Sequence, residues 1–172
     1  VVINSGSGNQ GMTVSLPVIE FAKSLFCTEE QLYRALVVSN LVAIHQKKYI
    51  GSLSAYCGAV SAACGSGAAI TYLYGGNYED ISATIVNTIG NVGGIVCDGA
   101  KSSCAAKIAS AVDAAILGHF LGRKHHWFQP GEGIVQKDVE GTIKSMGYIG
   151  RVGMKDTDKQ ILNIMIDQVK VD

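Results

Sequence analysis

Residues 55–69 are built mostly from alanine and glycine, and this segment strongly limits what the chain can fold into. The small residues are Ala55, Gly58, Ala59, Ala62, Ala63, Gly65, Gly67, Ala68 and Ala69. Each glycine costs a helix about 1 kcal/mol relative to alanine, a cost that only tight tertiary packing offsets. Because a helix with so little side-chain bulk lets its neighbours approach closely, we predict that this segment is central and buried on most sides.

A helical period dominates the rest of the chain. Residues 28–31 read Thr-Glu-Glu-Gln, a capping box, and apolar residues then recur at spacings of three and four from Leu32 to Ala43. A second box at residues 157–160 predicts the start of a final helix. Further helices are predicted at 55–74, 79–91, 102–121 and 138–146, and possible short strands at 1–3 and 94–96. The prediction is a mainly α, compact multi-helix domain with a central small-residue helix and at most very short strands.

Charge and hydropathy exclude several classes of protein. The chain has 172 residues, 14 basic and 14 acidic, and is 48% hydrophobic but only 16% charged. This composition excludes a disordered chain, and with no basic stripe nucleic acid is not an expected partner. No apolar run reaches the roughly 18 residues that span a bilayer, so no membrane segment is expected. The length predicts one domain, 1–172. The low charge predicts that this domain buries part of its surface against another domain or subunit, and we expect a homo-oligomer.

A glycine-rich segment lies near the start of the chain. Residues 6–11 match the pattern G-x-G-x-x-G, but only a four-residue apolar start precedes them and Pro17 interrupts the turns that follow. A dinucleotide site needs a full strand before the loop and a helix after it, so that interpretation is disfavoured. Free backbone N–H groups beside Asn and Ser side chains suit a small anion such as a carboxylate. A tight polar turn between two packed elements explains the segment equally well.

The five cysteines lie in segments rich in glycine and alanine, which favours free thiols or metal ligands over disulfides. Cys57 and Cys64 share a seven-residue spacing with Cys97 and Cys104. On a regular helix this spacing is about 10.5 Å, too long for one zinc site. Cys57 can meet Cys97 if their segments pack together, and a helix N-terminus would favour the Cys97 thiolate. From the residues alone, a small buried apolar role is favoured for Cys27 and Cys64, and it is narrowly favoured for Cys57 and Cys97 as well.

Three motifs, taken together, resemble a known family. They are Asn4-Ser-Gly-Ser-Gly-Asn-Gln-Gly11, Cys57-Gly58, and Val96-Cys-Asp-Gly-Ala-Lys-Ser-Ser-Cys104-Ala-Ala-Lys107. Their order and spacing resemble the C-terminal part of the L-cysteine desulfidase family, which is related to the α chain of iron–sulfur L-serine dehydratases. Members of that family are longer, so the resemblance implies that this chain is the C-terminal portion of a longer, cytoplasmic protein.

The resemblance implies a cofactor and an activity. The cofactor would be a [4Fe–4S] cluster with one open iron, Cys57 and Cys97 fall on ligand positions, and Cys104 matches a third ligand of the serine dehydratases. A further ligand is expected from an N-terminal domain or partner chain that carries a Gly-Cys-Thr-Glu motif absent from these residues. The implied reaction is β-elimination of L-cysteine to pyruvate, ammonia and hydrogen sulfide, with L-serine as the alternative substrate.

The resemblance also suggests roles for polar residues. The residues placed to hold the carboxylate of a small amino acid are Asn4, Ser5, Ser7, Gly8 and Asn9. Lys101 is the candidate base, provided that burial lowers its pKa, and a plain surface lysine explains it equally. Asp98 would cap the next helix or orient Lys101. Two non-catalytic alternatives are a structural or regulatory remnant without a cluster, and a zinc-binding interaction module using Cys57, Cys97 and Cys104.

Overall fold

Seven α-helices and one π-helical turn follow one another along residues 2–52 and 54–169, the part of the chain that this computed structural model describes. They are α1 (Gly8–Ser24), α2 (Glu29–Ile50), α3 (Gly58–Leu73), α4 (Tyr78–Val92), α5 (Cys104–Arg123), α6 (Val139–Tyr148), the π-helical turn (Ile149–Gly153) and α7 (Lys155–Met165). The described residues contain no strand and only two isolated bridges, Asn4 with Ser7 and Tyr56 with Val96. The predicted mainly α fold is therefore confirmed.

Side-chain caps determine where several helices begin. The hydroxyl of Thr28 accepts from Gln31 N at 3.2 Å while Gln31 Oε1 accepts from Thr28 N at 2.8 Å, so the predicted capping box is confirmed. A second box, formed by Asn77 and Asp80, opens α4. Asp138 Oδ1 accepts from Gly141 N at 2.6 Å and opens α6 at the predicted place.

Three local predictions are wrong. α1 runs straight through Pro17, because Val14 and Val18 are fully buried against α2 and α3 and this packing outweighs the missing N–H. The predicted final helix is present as α7, but it begins at Lys155, ahead of the box at 157–160, and its N-cap Met154 makes no side-chain hydrogen bond. Residues 94–96 form a single bridge instead of a strand, and residues 2 and 3 are irregular, while residue 1 lies outside the described residues.

The small-residue helix α3 lies at the centre, as predicted. All residues from 59 to 71 are buried, and α1, α2, α4 and α5 pack around them. A Cβ added at Gly65 would lie 2.3 Å from the carbonyl oxygen of Ser39 in α2, and one at Gly67 would lie 2.9 Å from Ala115 Cβ in α5. The glycines therefore let two neighbouring helices approach closer than any side chain would allow.

Helices α1 and α3 run in the same direction, side by side. Near their N-terminal ends the side chain of Gln10 lies against Gly58. One turn further along both helices, Val14 packs with Ala62. The two N-terminal ends therefore lie together at one end of the bundle.

Helices α3 and α5 are parallel by the same reasoning. Gly67 approaches Ala115, and one turn later Thr71 Oγ1 lies 2.9 Å from His119 Nδ1. The N-terminal end of α5 consequently reaches the same end of the bundle as those of α1 and α3. Free backbone N–H groups and the positive ends of three helix dipoles meet there.

By length and composition alone, α5 is long and apolar enough to cross a membrane, which corrects the expectation that no segment qualifies. Its apolar run is interrupted by Lys107 and Asp113, and 28% of it is buried within the described structure. One such helix is weak support for a membrane span, because core helices pass the same test. In this fold α5 packs against α3 and α4.

Candidate functional site

The loop before α5 pairs with the segment before α3. Cys57 N donates to Ile95 O at 3.0 Å, and Cys97 N donates to Ala55 O at 2.6 Å. Between them, Tyr56 and Val96 form an antiparallel bridge. This short pairing sets Cys57 and Cys97 side by side, so the prediction that they meet if their segments pack is confirmed.

The two thiols share a proton unequally. A hydrogen bond from Cys57, helped by Gly99 N–H and by Lys107, lowers the pKa of Cys97 to about 6. The same hydrogen bond, followed by burial, raises the pKa of Cys57 well above its ordinary value. The lowered pKa of Cys97 and the raised pKa of Cys57 favour one negative charge on the pair at neutral pH.

Two lysines lie close enough to act on this charge. Lys107 Nζ donates to Val96 O at 2.8 Å and pairs with Asp98, whose hydrogen bond is the main reason that the pKa of Lys107 is raised. Lys47, in the last turn of α2, is half-buried, and desolvation lowers its pKa while the charges of Cys97 and Cys57 act in the opposite direction. Sequence reasoning quoted Lys107 as part of the Cys97 motif but gave it no role. Lys47 is recognised as a neighbour of the two thiols only from the packing of α2.

Cys104, the first residue of α5, stands apart from the pair. Its Sγ lies 3.5 Å from Gly99 O and 3.5 Å from Lys101 N. Within residues 2–52 and 54–169, no three His, Cys, Asp or Glu side chains are grouped closely enough to hold a metal ion. The spacing argument for two helical turns does not apply, because Cys57 precedes α3 and Cys97 lies in a loop. Cys104 stays a predicted ligand.

Lys101 is exposed and held by Asp98. Its Nζ lies 2.5 Å from Asp98 Oδ2 and 2.8 Å from Asp98 O. Hydrogen bonds from Lys101 and then Lys107 lower the pKa of Asp98 to about 2. Asp98 does not cap α5, which begins after Ser103 without a side-chain cap, so the capping interpretation is wrong. The ion pair with Lys101 instead agrees with the interpretation that Asp98 orients the Lys101 side chain. The burial that would activate Lys101 as a base is not observed, since its side chain is 43% exposed.

The glycine-rich segment forms a tight turn into α1. Asn4 and Ser7 exchange backbone hydrogen bonds, Ser5 and Gly6 adopt left-handed φ values of 51° and 85°, and Ser7 caps the helix. Asn4 is buried, and its Nδ2 donates to Asn40 Oδ1 at 2.9 Å. Ser5 Oγ donates to Asn4 Oδ1 at 2.8 Å. The polar side chains of the turn thus fix its shape and leave the first N–H groups of α1 at its mouth.

Gln10 connects this turn to the thiol pair. A Cβ at Gly58 would lie 2.5 Å from Gln10 Cδ, so the absent side chain makes room for the amide directly beside Cys57. Gln10 is 8% exposed, and its Oε1 has no hydrogen-bond partner among the described residues. A buried acceptor without a donor is costly, so it is suited to a ligand N–H. Sequence reasoning noted Gln10 only as a polar loop residue.

Comparison with known proteins gives a consistent result. The family model described as serine dehydratase alpha chain matches residues 1–163. A UPF0597 protein of Desulfitobacterium hafniense is 62% identical over 98% of this chain and 39% of its own length. UPF0597 proteins of Lachnoclostridium phytofermentans and Treponema denticola are 62% and 55% identical over 97% and 96% of the chain. The chain spans about two fifths of the length of these relatives, and no solved structure matches it.

Proposed function

The chain belongs to the serine dehydratase alpha-chain family, as the motif resemblance predicted, and on this premise we propose that it is a catalytic domain, residues 1–172, of an iron–sulfur-dependent β-eliminating lyase. The proposed substrate is L-cysteine, and the products are pyruvate, ammonia and hydrogen sulfide. The observation that supports this most strongly is the pairing of residues 55–57 with 95–97, which sets the side chains of Cys57 and Cys97 beside each other and lowers the pKa of Cys97.

The donor set fits part of a cluster site. Thiolates are the ligands of iron–sulfur clusters, and Cys57 and Cys97 supply two of them from one short pairing. Lys47 and Lys107 offset the negative charge that such a centre brings. The remaining thiolate would come from Cys104 or from the part of the polypeptide that the relatives have beyond the matched region. When bound, the cluster supplies a Lewis-acidic iron that makes the β-thiol a better leaving group.

The chain's own residues would bind the amino acid at the mouth of the turn. The backbone N–H groups of Gly8 and Asn9, at the positive end of α1, suit the carboxylate, with Ser5 and Ser7 beside them. Asn4 supports the turn from below through Asn40. Gln10 Oε1, a buried acceptor beside Cys57, suits the substrate ammonium.

A base must then remove the Cα proton while the Cβ–S bond breaks. The electron pair of the Cα–H bond forms the Cα=Cβ bond of an enamine, and the pair of the Cβ–S bond leaves with the sulfur, which is released as hydrogen sulfide. The enamine tautomerises and is hydrolysed by one water to pyruvate and ammonia. Lys101 stays our proposed base, with Asp98 orienting its Nζ. Lys47 is the second candidate, because desolvation already favours its neutral form.

The test is anaerobic purification of the complete polypeptide, iron–sulfide reconstitution, and assay of pyruvate and sulfide from L-cysteine. Cys57→Ser and Cys97→Ser should each lose the visible absorbance of the cluster and the activity. Cys27→Ser, at the α1–α2 connection, is the matched control and should keep both. A colourless, inactive wild-type protein would contradict the lyase proposal and favour a structural or regulatory remnant without a cluster. Binding of one stoichiometric zinc ion would favour the zinc-binding interaction module.

L-serine is the second candidate substrate, because the family name describes serine dehydration. The leaving atom distinguishes the two, and the ratio of kcat/KM for the two amino acids on the same reconstituted sample decides between them. Lys101→Gln and Lys47→Gln, each reconstituted in the same way, separate the two candidate bases. Replacing the residue that acts as the base should lower kcat by about a hundredfold or more.

A further inference from the structure

A groove separates α2 from α4. Both helices pack on α3, but their backbones do not approach one another within the described residues, and α6 closes one end by contacting both. The space between them measures about 560 Å³. Its walls are mainly apolar, and the residues that define them are Leu41, Ile44, Tyr78, Ile81, Val139 and Ile143.

The α2 wall of the groove is an exposed apolar stripe. Tyr33, Val37, Leu41 and Ile44 follow on successive turns of one helix face and are 56%, 57%, 59% and 49% exposed. A second space of about 600 Å³, lined by Tyr33, Val37 and Tyr72, continues the groove toward the start of α2. The stripe is about 17 Å long at 1.5 Å per residue, the length of roughly three helical turns. A helix face turned to water is normally polar, so this face has the composition of a covered one.

Several polar side chains at the two ends of the groove have partners within the chain, and Lys48, which also lines it, holds its ammonium over the ring of Tyr49. Arg34 pairs with Glu30 at 2.8 Å at one end, and His45 Nε2 lies 2.7 Å from Glu140 Oε2 at the other. The length between them offers an apolar surface instead of a row of free charges. This favours an apolar occupant over a charged peptide.

We infer that this groove is filled by an amphipathic helix of about three turns that belongs to the same polypeptide, outside residues 1–172. The relatives carry about three fifths of their length beyond the region that this chain matches, which is ample to supply such a helix. Packed helices lie 8–10 Å apart, so a helix seated between α2 and α4, against the apolar walls of the groove, would cover the stripe. The inference is independent of the proposed lyase chemistry.

Accessibility of the stripe in the complete polypeptide tests this. Leu41→Cys and Ile44→Cys are alkylated with a maleimide, each rate is divided by that of the same variant unfolded in urea, and the modified peptide is identified by mass spectrometry. Leu16→Cys, on α1 at 52% exposure and outside the groove, is the matched control. The groove positions should react at least tenfold more slowly than the control at every protein concentration. Rates equal to the control overturn the inference.

The identity of the occupant needs a second measurement. A photoreactive amino acid at position 41 should give a crosslink within one polypeptide, to a segment outside the 172 residues. A crosslink between two copies, or protection that grows with protein concentration, would show that a second copy fills the groove and overturn the inference. Neither measurement depends on a cluster or on activity, so failure of the proposed function leaves the result readable.

Discussion

Two cysteines only seven residues apart, Cys57 and Cys64, lie in contrasting regions of the bundle. Cys57 precedes the first turn of α3, shares a proton with Cys97 and lies near two lysines. Cys64 lies two turns further into the same helix, where burial raises its pKa to about 12 despite hydrogen bonds with Gln46 and Thr88. The contrast teaches that surroundings, and not residue type, decide the state of a thiol: Cys64 is isolated by burial, whereas Cys57 lies beside a second thiol and two lysines and can lower the pKa of its neighbour Cys97.

The two regions are also specified by different forces. In the interior, the close approach of backbones at Gly65 depends on volume alone. At the N-terminal end, the arrangement depends on a short backbone pairing and on the charges of Lys107 and Asp98. Disturbing volume should therefore unfold the protein, whereas disturbing charge should change its chemistry and leave the fold intact.

The largest expected contrast is in thiol alkylation of the protein without metal. At pH 7, a pKa of about 6 makes Cys97 mostly thiolate, whereas a pKa of about 12 leaves Cys64 almost entirely protonated. Iodoacetamide should modify Cys97 at least about a thousandfold faster, since only the thiolate reacts. Peptide mass spectrometry over pH 5–9 checks this, and the Cys97 rate should rise with pH and level off above about pH 7. Equal rates would show that the two regions are chemically alike.

A smaller effect is expected from a methyl group in the interior. Gly65→Ala should destabilise the fold by about 2–3 kcal/mol, because overpacking against the Ser39 carbonyl outweighs the gain of about 1 kcal/mol in helix propensity. Gly94→Ala, which has no atom within 4 Å of the added Cβ, should change stability by no more than about 0.5 kcal/mol. Urea unfolding followed by circular dichroism measures both. If the two variants unfold alike, volume does not specify α3.

The smallest effect separates two lysines beside the loop. Lys107 lowers the pKa of Cys97, so Lys107→Met should destabilise the thiolate and move its alkylation midpoint upward from about 6. Lys101 is held by Asp98 and does not act directly on Cys97, so Lys101→Met should move the midpoint less. The pH dependence of Cys97 alkylation in each variant decides this. A larger shift for Lys101→Met would exchange the roles of the two lysines.

Much of the fold could be predicted from local patterns. Thr28 and Gln31 fixed the start of α2, and the small residues of α3 indicated its central position, because caps and side-chain bulk act over a few residues. α1 could not be predicted, since Pro17 argues against a helix and only tertiary packing outweighs it. The final helix was predicted, but its start was not, because α7 follows the π-helical turn through the single residue Met154 and so begins before the box at 157–160.

The site was predictable only in part. The motif around Cys97 suggested a special thiol, but its meeting with Cys57 depends on backbone pairing between segments forty residues apart (97 − 57 = 40). Lys47 acts on that pair solely because α2 ends beside it. Gln10 gains its significance from the space left by Gly58. Each of these is a contact between distant positions, which spacing along one chain does not encode.

The pairing of residues 55–57 with 95–97 also makes the reactivity of Cys97 a reporter of folding. It closes a loop that contains all of α3 and α4, so Cys97 meets Cys57 only when the two ends of that helical hairpin come together. In the unfolded chain the pKa of Cys97 returns to the ordinary value of a thiol, about 8.5. During refolding at neutral pH, the rapidly reacting thiolate should appear when this pairing forms. The alkylation rate of Cys97 therefore reports when the two ends of the α3–α4 hairpin come together.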